Sequence, residues 1–193
     1  MFRRPRHRRY SARASLYLRG RWIDFKFWWL TLNKAPWVVA LLAGVTIGVA
    51  GALWYSLQAD RSERQQLTCL ALNVYFEARG EPKAGQYAVA EVTMNRVASR
   101  HYPDTVCDVV YQANWDPLRK RMVAAFSWTE QADRSEPKGE EWEQARRIAE
   151  DVYYRRHEPK LAGVLHFHAD YVTPSWSVGR TPVAQIGNHR FYR

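Results

Sequence analysis

The sequence predicts a mainly α (α+β) fold with a short β region, preceded by one transmembrane helix. Residues 67–78, 84–98 and 140–156 repeat apolar side chains at the 3.6-residue period of a helix. Residues 165–170 alternate apolar and polar side chains, Leu165, Phe167 and Ala169 against His166, His168 and Asp170, as a strand does. Residues 36–57, PWVVALLAGVTIGVAGALWYSL, run for 22 positions without a charge.

That uncharged run is ~33 Å long as a helix, enough to cross a hydrocarbon core of ~30 Å. Trp37 at one end and Trp54 with Tyr55 at the other suit the two membrane interfaces. The formal charge of +10 is unevenly spread. Residues 1–34 carry ten Lys/Arg and one acid, Asp24, whereas residues 58–193 carry nineteen Lys/Arg and eighteen acids. The basic excess places the N-terminal side in the cytoplasm and the rest of the chain outside. It also argues against a nucleic-acid partner, because the high pI belongs to the tail and not to the domain. Residues 1–20 read as a disordered basic tail. Residues 21–34, RWIDFKFWWLTLNK, are too short to span and suit the membrane interface. Ala50-Gly51-Ala52 resembles a signal-peptide cleavage site, the alternative to a retained anchor. The organisation expected is a tail at 1–35, an anchor at 36–57, a polar linker at 58–66 and a domain at 67–193.

In the first helix of the domain, Leu67, Leu70, Ala71, Val74, Tyr75 and Ala78 share a face, and Glu77 lies at the edge of that stripe. Gly80 as a C-cap and Pro82 are expected to stop the helix. A carboxyl half-walled by hydrocarbon has a raised pKa and keeps a proton near neutral pH. The alternative is a solvated helix-end residue paired with Arg79 or Lys83. The second helix is apolar nearly all round and is expected to be central and buried. Its Glu91 and Asn95, one turn apart, either line a cleft floor or are hydrogen-bonded structural groups.

Tyr102-Pro103-Asp104 breaks the chain, and Asp104 or Thr105 caps a short helix at 105–112. Residues 114–138 read as irregular and polar, apart from an apolar patch that ends in Phe126-Ser127-Trp128. Trp128 either stacks on a sugar or plugs the core. The third helix buries Trp142, Ala145, Ile148, Ala149, Val152 and Tyr153, with acids at its start and bases at its end as its dipole prefers. Pro174, Gly179, Pro182 and Gly187 mark turns in the C-terminal region. Cys69 and Cys107 form a disulfide if exported, or are two buried thiols.

The strings NVYFEARGEPKAGQYAVAEVTMNRV, HYPDTVCDVVYQ, FSWT, HFHADYVTPSW and IGNHRFY occur in this order. Together they resemble the catalytic domain of the spore-cortex-lytic (SleB-type) cell-wall hydrolases, from about Leu67 to the C-terminus. The resemblance implies a lysozyme-like, lytic-transglycosylase-like fold. It implies peptidoglycan as the partner and cleavage of the glycan strand between N-acetylmuramic acid and N-acetylglucosamine, with no cofactor. It implies Glu77 as the catalytic residue, and Ser127, Trp128, Phe167, His168 and Tyr171 as substrate-binding residues with Glu81 in support. Cell-wall or division-machinery proteins are possible further partners. One acid suffices if the substrate supplies its own nucleophile, the C6 hydroxyl of N-acetylmuramic acid. Pro117 to Val123 depart from the family's spacing before Phe126. A sporulation role does not carry over to a chain with this tail and anchor. Two alternatives stay open. One is a zinc-dependent N-acetylmuramoyl-L-alanine amidase using His166, His168, Asp170 and His189. The other is a non-catalytic, membrane-tethered glycan-binding module.

Overall fold

The computed structural model describes residues 8–117, 119–133 and 135–193, with side chains from Gly20 onward. The chain divides into two compact units, Met1–Ser56 and Leu57–Arg193. The first contains helix α1 (Arg8–Thr31) and the beginning of α2 (Ala35–Ala78). The first seven residues of the basic tail lie outside the described residues, and those from Arg8 are helical rather than disordered. One helix, α2, is long and apolar enough to cross a membrane by length and composition. Residues 58–66, expected as a linker, are helical as part of α2. This run has neither Gly nor Pro to interrupt the backbone ladder, and its polar side chains leave the helix intact.

In the second unit α2 is followed by α3 (Lys83–Val97), α4 (Val106–Val110), β1 (Ala113–Asp116), β2 (Arg121–Ala124), α5 (Gly139–Tyr153), β3 (His166–Ala169), β4 (Ala184–Ile186) and β5 (His189–Tyr192). Short 3₁₀ turns occupy Ser127–Glu130 and Ser175–Ser177. The unit is mainly helical with two small antiparallel sheets, β1-β2 and β3-β5-β4. The expected all-round burial of α3 is observed. One side joins Leu70, Val74, Val106, Val110, Ile148 and Ala149 in the main core. The other side places Ala88 and Val92 against Leu161, Val164 and Phe191.

Glu91 and Asn95 are structural. Glu91 is 5% exposed and accepts from His157 Nε2 (2.8 Å) and from the backbone N–H groups of Lys160 and Leu161. Asn95 Nδ2 donates to the carbonyls of Leu161 and Val164. Both therefore fasten the segment after α5 to the central helix. Thr105 is the cap of α4, its hydroxyl accepting from the Asp108 N–H at 3.2 Å.

Three expectations change. Residues 113–124, read as irregular, form a hairpin whose register runs from Ala113 opposite Ala124 to Asp116 opposite Arg121. Four-residue strands are too short to reveal a period of two when Asp, Pro and three basic residues stand among them. The β region also has three strands rather than one. Gly187 and Asn188 join β4 to β5 with positive φ at Gly187 alone (+58°), the requirement of a type II′ hairpin turn. Finally, Gly80 is not a left-handed cap: α2 ends at Ala78, and the chain turns through residues 79–82 with Glu81 N–H bonded to Ala78 O.

Cys69 and Cys107 are joined in a disulfide that ties α2 to α4 across a sequence separation of 38. Closing a loop of that length is expected to stabilise the fold by ~3–4 kcal/mol through the unfolded chain. Denaturant unfolding of the full chain in detergent, with and without reductant, is expected to show a loss of that size on reduction.

Candidate active site

The site begins with Asn73, fully buried near the end of α2. Its Nδ2 donates to Thr93 Oγ1 on α3 (3.0 Å), and its Oδ1 accepts from the indole N–H of Trp128 (2.9 Å). Phe76 stacks on the Trp128 ring with centroids 4.8 Å apart. These contacts position Glu77, the next residue, on the floor of an open cleft of about 600 Å³.

Glu77, in the last turn of α2, lies near Arg96 of α3, and no hydrogen bond or ion pair within the described residues holds its carboxyl. Burial pushes its pKa from the ordinary 4.5 up to about 7, against the opposing pull of Arg96. Arg96 is 8% exposed. Its Nε donates to Leu165 O (2.8 Å), and its guanidinium lies over Phe126 (5.1 Å) and Tyr102 (5.3 Å). Burial lowers the guanidinium's pKa, while the nearby Tyr102 and Glu77 oppose that shift. The expected pairing of Glu77 with Arg79 or Lys83 does not occur. Arg79 bonds Tyr75 Oη instead (3.3 Å).

Of the residues expected at the site, Glu77, Ser127, Trp128, Phe167, His168 and Tyr171 line this cleft together. Their exposure differs. Tyr171 is 83% exposed on the rim, and Ser127 is exposed beside it. Trp128 is 3% exposed with its N–H engaged by Asn73, so it is the core plug of the two alternatives and forms wall rather than platform. His168 is buried. Its Nδ1 faces Ala169 O at 2.9 Å and therefore donates, which leaves Nε2 to accept from Tyr192 O–H at 3.0 Å.

Glu81 lies apart from the cleft lining. Its Oε2 accepts from Asn188 N–H (2.9 Å) and its Oε1 from Asn188 Nδ2 (3.1 Å), binding the β4-β5 turn to the turn before α3. At Gly187 a Cβ would displace Glu81 Oε2 from Asn188 and press on the Pro82 ring (3.0 Å). The positive φ (+58°) also disfavours any other residue, so glycine suits the closed clamp. A carboxylate with both oxygens on one turn is a clamp, so Glu81 supports the site by holding the β4-β5 turn rather than by lining the cleft.

Of the other polar residues in the lining, Arg96 was not expected at the site, and His189 was expected only under the zinc alternative. Beyond Lys83 in its first turn, Arg96 is the sole cation of α3, and that oddity was the available clue. His189 carries no local clue. The β3-β5 register sets it opposite Ala169 on the Phe167 face, its ring edge on Phe167 at 5.2 Å. Its Nδ1 has no hydrogen-bond partner and lies 3.9 Å from Glu81 Oε1. Burial holds its pKa below the usual histidine value, although Glu81 and Asp170 pull the other way. This register also separates the residues of the zinc alternative. His166 and His168 lie on one face of β3, while His189 belongs to the other. Among the described residues no group of three or more His, Cys, Asp or Glu is arranged to hold a metal.

The domain is small and mainly helical, with a desolvated carboxyl beside a buried arginine in an open, aromatic-walled cleft. Comparison with known proteins places it: the chain belongs to the cell wall hydrolase family, whose sequence profile matches residues 80–192. Glu77 stands just before that stretch. The spore cortex-lytic enzyme of Halalkalibacterium halodurans is 34% identical over 122 residues, covering 63% of this chain and 33% of that protein. The Bacillus subtilis enzyme of the same name is also 34% identical over 122 residues, with 63% and 35% covered. The chain thus spans about a third of the length of these relatives. Among solved structures, the catalytic domain of Bacillus cereus SleB is 28% identical with a TM-score of 0.50, covering 67% of this chain and 91% of that one. The catalytic domain of the germination-specific lytic transglycosylase SleB from Bacillus anthracis is 28% identical with a TM-score of 0.53, covering 66% and 93%.

Replacing Glu81 with Ala removes both bonds to the exposed Asn188 and is expected to cost ~0.5–1.5 kcal/mol, read by thermal unfolding. The raised pKa of Glu77 sets a second expectation. Its contribution to stability is complete below pH 4.5 and is lost as pH rises through about 7, where the carboxyl must ionise in place. The loss is roughly 3 kcal/mol at most, and Glu77→Gln is expected to remove this slope from the stability–pH curve.

Proposed function

We propose that this protein cleaves the glycan strand of peptidoglycan between N-acetylmuramic acid and N-acetylglucosamine by lytic transglycosylase chemistry, with Glu77 as both acid and base. The observation that carries this reading is a single carboxyl on the cleft floor. Glu77 is the sole acid among the described cleft-lining residues. Hydrolysis of a glycoside by either of the usual routes uses two carboxylates flanking the bond. With one, the attacking oxygen is best supplied by the substrate.

In the first step protonated Glu77 gives its proton to the glycosidic oxygen, and the bond to the anomeric carbon breaks. The resulting carboxylate then takes the proton from the C6 hydroxyl of N-acetylmuramic acid as that oxygen closes on the anomeric carbon. The product is a 1,6-anhydro sugar and Glu77 is again protonated. A pKa near 7 suits both halves of this cycle, since the group neither holds nor loses its proton too firmly at neutral pH. Arg96 is close enough to steady the carboxylate formed midway. Phe167, Tyr171 and Ser127 are the residues we assign to holding the sugars.

The same proposal places the enzyme at the cytoplasmic membrane. The apolar part of α2 acts as a single-pass anchor, with the basic segment in the cytoplasm and the domain outside. The Cys69 to Cys107 disulfide supports export, because such bonds persist in oxidising compartments. Anchoring confines turnover to wall near the membrane and favours local remodelling.

Mass spectrometry of products from purified peptidoglycan treated with the full chain in detergent tests the chemistry. Anhydro-muramyl products are expected, unaffected by EDTA and reduced about 100- to 10,000-fold by Glu77→Gln. The first-step rate is expected to fall as pH rises through about 7 and Glu77 loses its proton. Free stem peptides that disappear with EDTA would overturn the reading in favour of an amidase.

A further inference from the structure

We propose that the outer face of the β1-β2 hairpin is a second glycan-binding surface, on which Trp115 and Met122 take a sugar of the strand beyond the cleft. The proposal rests on the glycan-cleaving reading above. Trp115 is 61% exposed and Met122 is 52% exposed, and the two stand directly opposite one another. Directly opposed residues share a face of the sheet, and so do residues two apart along a strand. Trp115 and Met122 therefore share the face of Ala113 and Ala124, one strand step of about 7 Å farther out. Ala124 lines the cleft, and the chain continues along the cleft wall through Ala125, Phe126 and Ser127. The apolar face of the hairpin is thus continuous with the lining of the cleft.

The hairpin is fastened to that wall. Ala124 N–H donates to Glu130 Oε1 (2.8 Å), and Arg121 lies 3.5 Å from Glu130 Oε2. Ala125 N–H donates to Gln112 O (2.8 Å), extending the ladder past the base of β1. At the far end Asp116 Oδ1 accepts from Arg119 N–H (3.0 Å) and braces the turn. The exposed indole is thus carried on a fixed backbone, and little backbone entropy is lost when a sugar settles on it.

The chemistry of a cell-wall strand fits this face. Pyranose rings present apolar C–H groups that pack on an indole, and stem peptides carry carboxylates that suit Lys120 in the turn. Trp128, the ring the sequence suggested for stacking, is buried and cannot serve.

The test measures binding by the full chain in detergent, in a Glu77→Gln background, to N-acetylglucosamine oligomers of increasing length and to purified sacculi. Trp115→Ala is expected to weaken binding of the long oligomers and sacculi roughly 2- to 12-fold, as the loss of one ring-stacking contact does. It is expected to flatten the gain of affinity with length, and Trp115→Phe to restore most of it. Thermal unfolding should be unchanged, since the ring is exposed. Long-oligomer binding by Trp115→Ala equal to that of the parent would overturn the proposal. So would unchanged glycan binding with a lost association to anionic vesicles, which would make the hairpin a membrane contact. Failure of the glycan-cleaving reading shows differently, as no product from the wild-type chain, whereas failure of the platform shows as an unchanged binding curve.

Discussion

The buried amide of Asn73 joins three separate parts of the domain: α2, α3 through Thr93, and the turn that carries Trp128. Each partner is itself buried, so removing any one leaves a desolvated polar group unpaired. Because Trp128 is held there, Phe76 has a ring to stack on, and the wall of the cleft is set. Glu77 follows directly in the sequence, so its carboxyl inherits a fixed position without any hydrogen bond of its own. A floor made rigid by neighbours leaves the acid free to exchange its proton.

That arrangement explains an apparent contradiction in the site. A carboxyl beside an arginine ordinarily ionises easily, yet burial dominates at Glu77 and lifts its pKa. Arg96 is itself desolvated and committed to Leu165 O and to two aromatic rings, and this limits what it can offer Glu77. The balance gives a group poised near neutrality, as the proposed acid and base cycle requires. A closer, bidentate ion pair would have favoured the base alone.

The small sheet has a different task. Pairing β3 with β5 sets Phe167 and His189 on one face of the sheet and the rings of His166 and His168 against Trp176 on the other. The Glu81 clamp on Asn188 fixes the turn that makes this pairing possible, and the glycine at 187 is what lets the clamp close. A carboxylate in the same EARGE stretch as Glu77 thus serves architecture rather than chemistry. The hairpin on the other side of the cleft widens the surface a polymer would meet.

Local rules in the sequence determined the helices of the domain and the apolar run of α2, because periodicity and the absence of charge depend on near neighbours alone. They also determined that α3 would be central, since a helix apolar on every side has no face for water. The candidate acid was legible too, as a carboxylate at the edge of an apolar stripe near a helix end. Tertiary structure decided the rest. Whether Trp128 faced sugar or core depended on Asn73, fifty-five positions away. The separate parts played by Glu77 and Glu81, four residues apart, depended on which partner each met: hydrocarbon for one, the β4-β5 turn for the other. His189 reached the cleft only through strand register, and register is a property of two segments together, written in neither one alone.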